Sequence, residues 1–191
     1  MFEMLNNILT FRKISCSAAL SLTLASLVFS KSASAESFIV TNPPSTQKVL
    51  PDTGDAGPEA DVLRIAMARG EFEPVQIVVH SVDKPLQSVR VTANRLLVGS
   101  DGSTLPQEQV VVTPLGYVNC TKRSFSSTLL TDRGGQVSDV LLPDRPMSIP
   151  TGRRQSYFVT VRTLQSDQAG EYRGSVGISA AGEKTREIPL V

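Results

Sequence analysis

The chain has no tryptophan, a single histidine and two cysteines, and each scarcity removes a class of chemistry. A Ser-His-Asp or Cys-His apparatus would have to use His80 as its base. His80 follows Val79 in the polar phase of an alternating run, a place for a solvated side chain rather than a catalytic one. Beyond the first 35 residues only Cys120 remains, so no intramolecular disulfide can form and no Cys/His zinc set can be assembled. The thiol is expected to be a small buried hydrophobe. Asn119-Cys120-Thr121 also matches the N-glycosylation sequon. Gly134-Gly135 lacks the preceding strand and following helix that a phosphate-cradling loop requires. This composition calls for no metal and no cofactor.

Excess charge and long apolar runs are equally scarce. Three of the 19 basic residues and one of the 18 acidic ones fall in the first 35 positions, which leaves 16 against 17 and a net charge of −1. That balance gives no drive towards nucleic acid or an anionic membrane. The one long apolar stretch is N-terminal. Arg12 and Lys13 precede Ile14 to Ser30, and Ala33-Ser34-Ala35 is a small-x-small cleavage site before Glu36. Residues 1–35 therefore read as a Sec-type signal peptide cut between Ala35 and Glu36, sending a secreted or periplasmic chain onward with no membrane segment. Cys16 stands near the start of the apolar run, not at its end where a lipidated cysteine would sit. The remaining 156 residues suit one domain. A chain of that size buries about 70% of the surface its unfolded form exposes and needs no staple.

What is present is period-two alternation. Leu63, Ile65 and Met67 alternate with Arg64, Ala66 and Ala68. Val75, Ile77 and Val79 alternate with Gln76, Val78 and His80. Val89, Val91 and Ala93 repeat the pattern, Val110 and Val112 lead a strand towards Tyr117, and Tyr157, Val159 and Val161 precede a strand lined by Tyr172, Val176 and Ile178. Asp83-Lys84-Pro85, Ser100-Asp101-Gly102, Pro150-Thr151-Gly152 and Asp167 to Gly170 punctuate these runs as turns. Short strands at near-regular spacing, without helical runs between them, predict an all-β antiparallel β-sandwich of the immunoglobulin/fibronectin III kind. Residues 36–61 form an N-terminal edge strand and a Pro/Asp/Gly-rich surface loop, and residues 62–191 form the sandwich. Lys122 to Ser138 reads as a long polar loop, the kind that is functional or mobile.

Carboxylates are the remaining route to catalysis. Glu71 and Glu73, two apart in Arg69-Gly70-Glu71-Phe72-Glu73-Pro74, would share a strand face, and a glycosidase needs acids about 5 to 9.5 Å apart. A charged strand face or a bridge to a neighbouring loop accounts for the pair more simply. Asp139 and Asp144, bracketing Leu141-Leu142-Pro143, read as turn formers. Tyr172, opening a late strand after Gly170 and before Gly174, reads as a corner tyrosine that bonds back to upstream backbone rather than as a sugar platform.

The run Ala68-Arg69-Gly70-Glu71-Phe72-Glu73-Pro74-Val75-Gln76-Ile77-Val78-Val79 is similar to a signature of the N-terminal β-sandwich domain of glycoside hydrolase family 123-like proteins, which often pair that domain with a conserved domain of unknown function. Asp139 to Pro143, Ile149 through Gln155 to Val161, and Asp167 to Val176 with its Gly170, Tyr172 and Gly174 resemble the second half of the same domain, in the same order. In this resemblance Arg69, Glu71, Glu73, Gln76, Gln155, Gly170, Tyr172 and Gly174 are structural motif positions. Phe158 stands where the family often has Trp, and Leu164-Gln165-Ser166 replaces its common Val-Pro-Lys. The resemblance implies that catalysis belongs to a C-terminal TIM-like barrel, where an adjacent Asp-Glu pair handles a 2-acetamido sugar. This chain contains no Asp-Glu dipeptide, so no catalytic residue carries over.

The expectation is a non-catalytic accessory domain of a secreted glycoside hydrolase-like protein, cut short of its barrel, with Glu187 to Val191 reading as a strand interrupted in mid-course. That barrel of the same parent protein and carbohydrate are its candidate partners. The alternatives are a stand-alone periplasmic or extracellular binding or adhesion module, and a small enzyme built on Glu71 and Glu73. An exposed apolar patch favours the first, and a polar surface with an ordered Lys122–Ser138 groove favours the second.

Overall fold

The alternating runs become strands where they can pair on both sides. The computed structural model describes residues 37–52, 54–120 and 135–191, with backbone alone at 94–96. The leader with its Ala35–Glu36 junction lies outside the described residues, as does Lys122 to Gly134. All described residues belong to one unit, Ala35–Val191.

Ten strands lie among the described residues: β1 (Phe38–Thr41), β2 (Phe72–Ser81), β3 (Leu86–Gly99), β4 (Thr104–Leu105), β5 (Val110–Cys120), β6 (Gly135–Leu141), β7 (Met147–Ile149), β8 (Arg154–Arg162), β9 (Tyr172–Ser179) and β10 (Arg186–Leu190). Among the described residues the helical content is one 3-10 turn, Gln107–Gln109. One sheet runs β1-β2-β8-β5-β6; the other runs β10-β9-β3-β4, with β7 also on β3. Every strand pairing is antiparallel. The inward residues of both sheets fill one core, including Val75, Ile77, Tyr157 and Val159 from the first and Val91, Leu97, Val176 and Ile178 from the second. The protein is thus all-β with antiparallel sheets, an arrangement consistent with a β-sandwich. Residues 37–61 feed the same core through Phe38, Val40 and Ala60.

Four sequence expectations change on the structure. Leu63 to Met67 keeps its alternating burial but is no regular strand. Leu63 makes an isolated parallel bridge to Leu190, with Leu63 N–H donating to the Pro189 carbonyl and Val191 N–H donating back to that of Leu63. Second, Gly135 to Ser138 belongs to β6, not to a loop, and Asp139 lies inside that strand, bonded to Lys48 Nζ at 2.6 Å, so it forms no turn. Third, Cys120 ends β5 exposed rather than buried, because β5 runs past the core there. Fourth, the polar phase of β2 is not solvated throughout: Gln76 and Val78 are 1% and 0% exposed.

The last change has a definite cause. Residues 42–52 and 54–61 form a strap across the outward face of the first sheet, where Val49 and Ala56 bury Val78 in a small second core. Asn42 Nδ2 donates to the Gln76 carbonyl at 2.7 Å, and Arg154 N–H donates to the Pro51 carbonyl at 2.8 Å. Gly57 lets the strap pass close to itself. It sits at φ +80°, and a Cβ there would lie 2.6 Å from Pro43 Cα. Part of that face stays open. Strand register puts Phe72 beside Arg162, Pro74 beside Thr160 and Val111, and Phe158 beside Gln76 and Thr113 on the same outward side. Phe72 and Val111 are 63% and 52% exposed there.

Candidate functional site

A cleft among the described residues begins at a turn. Gly70 takes φ +80°, a conformation that favours glycine, and so reverses the chain between Met67 and β2. That turn is stitched to the segment after β8. Thr163 Oγ1 donates to the Ala68 carbonyl at 2.7 Å, Thr163 N–H to the Glu71 carbonyl at 2.9 Å, and Gln165 Nε2 to the Arg69 carbonyl at 3.2 Å. Glu71 precedes β2 and turns its carboxylate back to accept from Ala68 N–H at 2.7 Å. It therefore does not share a strand face with Glu73, which pairs with Val161 inside the sheet. The two acids close a turn and a sheet end instead of facing one another across a cleft.

Between this turn and the β8–β9 connection lies a cleft of about 780 Å³. Its depth is apolar: Leu97, Leu105, Val161 and Leu190 from the core, with half-buried Ile65 and Met67 as one wall. Arg64, Arg69, Asp167, Gln168, Gly170 and Glu171 edge it. Tyr172 forms the opposite wall, and its hydroxyl donates to the Gln168 carbonyl at 2.9 Å, the bond of a tyrosine corner. Ser103 Oγ lies 2.9 Å from the same hydroxyl and 2.6 Å from Asp101 Oδ1. The Ser103 hydroxyl, joined by Ser103 N–H at 3.0 Å, holds the Asp101 carboxyl below its ordinary range. Asp167 Oδ2 is occupied by Leu164 N–H at 2.7 Å and Gln109 Nε2 at 2.8 Å, and Glu171 by Arg173 at 2.5 Å.

No family model and no curated protein match the sequence. Structure is more informative. The chain resembles a family 123 glycoside hydrolase from Clostridium perfringens, described for glycolipid glycan hydrolysis, at TM-score 0.58 and 13% identity over 68% of this chain. It spans 22% of that hydrolase. A galactose complex of self-complemented MyfA, the major subunit of Myf fimbriae from Yersinia enterocolitica, matches 79% of this chain and 94% of its own, at 12% identity and TM-score 0.31. The hydrolase likeness is one of fold.

The motif residues divide between the cleft and the sheet. Arg69, Gly170 and Tyr172 line the cleft, and Glu71 closes its turn. Gln76 and Gln155 lie apart from it, as buried fasteners. With its amide oriented so that Nε2 faces the strap, Gln76 donates to the carbonyls of Gln47 at 3.0 Å and Pro44 at 3.2 Å. Gln155 Nε2 donates to the carbonyls of Leu115 at 2.6 Å and Ser156 at 3.0 Å. Gly174 pairs with Leu190 at the end of the β9–β10 ladder.

His80 stands far along β2, half-buried, 3.2 Å from Thr41 Oγ1. Thr41 spends its one hydroxyl proton on the Ala56 carbonyl at 2.6 Å, so His80 must donate from Nε2. Burial, and secondarily the Arg154 guanidinium, push this imidazole down to about 4. It is a neutral strap fastener. Sequence reasoning missed Thr163 and Gln165, whose stitching role depends on a partner 92 or more positions away.

Proposed function

We propose that this chain is the non-catalytic N-terminal accessory domain of a secreted glycoside hydrolase-like protein, an immunoglobulin/fibronectin III-like sandwich exported by residues 1–35. Catalysis on a carbohydrate substrate belongs, in this proposal, to a separate barrel domain. One observation carries it: on the outward face that the strap leaves open, Phe72 and Val111 are exposed beside half-buried Pro74 and Phe158, with Phe72 63% exposed. Single exposed hydrophobes are ordinary, but several on one sheet face, grouped around Thr160, mark a surface that another body covers. The Arg162 guanidinium over the Phe72 ring, 5.1 Å from its centroid, shields only one side of it. The fold likeness to about a fifth of a much longer hydrolase supports the same view. So do Glu71 Oε2 and His80 Nε2, which are engaged in structural bonds.

A stand-alone periplasmic or extracellular binding module is the second reading, and the cleft favours it. Two assays separate the cases. The chain alone should leave a chromogenic 2-acetamido-2-deoxyglycoside intact; turnover that Glu71→Gln or Glu73→Gln abolishes would establish the small enzyme instead. A glycan screen should show no saturable binding by the chain alone. A saturable glycan hit hands the function to the binding module.

A further inference from the structure

We propose that the cleft between the Arg64–Arg69 segment and the β8–β9 connection binds a small amphipathic anion, an apolar body ending in a carboxylate, sulfate or phosphate. This goes beyond the accessory-domain proposal and stands whether or not that proposal does. Size is the first argument: about 780 Å³ falls in the usual range of small-molecule sites, roughly 300 to 1,000 Å³. Its walls are the second. Leu97, Leu105, Val161 and Leu190 give an aliphatic depth from both sheets, and Met67 gives a wall that can reshape around an irregular chain.

Charge decides the ligand's polar end. The acids on and beside the rim already hold donors: Asp167 Oδ2 two N–H groups, Glu171 the Arg173 guanidinium, and Glu71 Oε2, just outside the cleft, the Ala68 N–H. Arg64 and Arg69 edge the same cleft, are exposed, and enter no ion pair among the described residues. Two uncommitted guanidiniums beside an apolar pocket offer forked donors to an anionic head while their stems extend the apolar wall. A sugar fits poorly here. Among the described residues Tyr172 is the one aromatic lining the cleft, and its hydroxyl proton is already spent on Gln168.

The test is a calorimetric titration of the full chain with decanoate below its micelle concentration. Four proteins are compared: the natural chain, Arg64→Ala/Arg69→Ala, Ala169→Trp, and a charge-matched control, Arg145→Ala/Lys184→Ala. All five positions are exposed, so folding is not at stake, and uptake by the leader is common to all four proteins. The natural chain and the control should show one saturable site. The double-arginine variant should bind about tenfold more weakly, as two partly exposed ion pairs warrant. Ala169→Trp, whose ring would project from the cleft edge, should abolish that site. Non-saturating uptake equal in all four proteins overturns the proposal, as does a saturable site indifferent to Ala169→Trp. An affinity unchanged in the double-arginine variant overturns the anion assignment.

Discussion

Replacing Gln155 by leucine probes how the middle of the first sheet is held. The β5–β8 ladder stops at Pro114↔Tyr157, where proline offers no N–H, and β5 then pairs with β6 through an irregular register. Gln155, 4% exposed, bridges the break by donating from Nε2 to the Leu115 and Ser156 carbonyls. Leucine keeps the volume and removes both donors. An unpaired buried carbonyl costs about 1–3 kcal/mol, the second lost bond adds about 1, and the extra apolar burial returns about 1–2. The net loss is about 2 kcal/mol. At a urea dependence of about 2 kcal/mol per molar for a chain of this size, the midpoint should fall by about 1 M. Urea unfolding followed by tyrosine fluorescence reads this directly. Gln155→Glu should lose more, since it places an ionisable acceptor against two carbonyls. Midpoints for both variants within about 0.2 M of the natural chain would refute the fastening role.

Four further outcomes follow from the geometry. Tyr172→Phe removes the corner bond to Gln168 and should cost about 1 kcal/mol, seen as a lower thermal midpoint; an unchanged midpoint would make that bond incidental. Val49→Ala, at a 0% exposed strap anchor, should cost about 1–3 kcal/mol and open the strap to limited proteolysis before the sheets unfold. Gly57→Ala should destabilise through both its φ of +80° and the Pro43 clash, whereas Gly182→Ala, with open space around it, should cost only the backbone term. His80 titrates lower in the fold, about 4, than its ordinary 6.5, so the unfolded chain binds more protons between those values and stability must rise with pH across that window. The ceiling of about 3 kcal/mol falls to about 1–2 once solvent screening of the half-exposed ring is counted, and His80→Gln should flatten that part of a pH–stability profile.

The strands were legible because each carries its own signal: alternating β-branched residues between Gly, Pro and Asp turns. Tyr172 was legible too, since a corner tyrosine bonds to a carbonyl four residues away. Gln76 and Val78 were not. Their cover is a strap whose Pro/Gly/Asp composition reads as loop and whose anchors, Val49 and Ala56, have no period. Glu71 misled because a strand face was assumed before Gly70 and Ala68 had settled the turn. Cys120 misled because strand length is set by pairing with β6, not by the core. The cleft has no local signature, because its walls come from separate segments that only the fold brings together.

The most direct test of the accessory-domain proposal is to sequence the locus and transcript through the Val191 codon and about 1.5 kilobases beyond, room for a barrel of about 250 residues or more. The proposal predicts a continuing or frame-shifted reading frame of alternating strands and helices that carries an adjacent Asp-Glu pair. A clean stop followed by unrelated sequence would contradict it and leave a self-sufficient binding module.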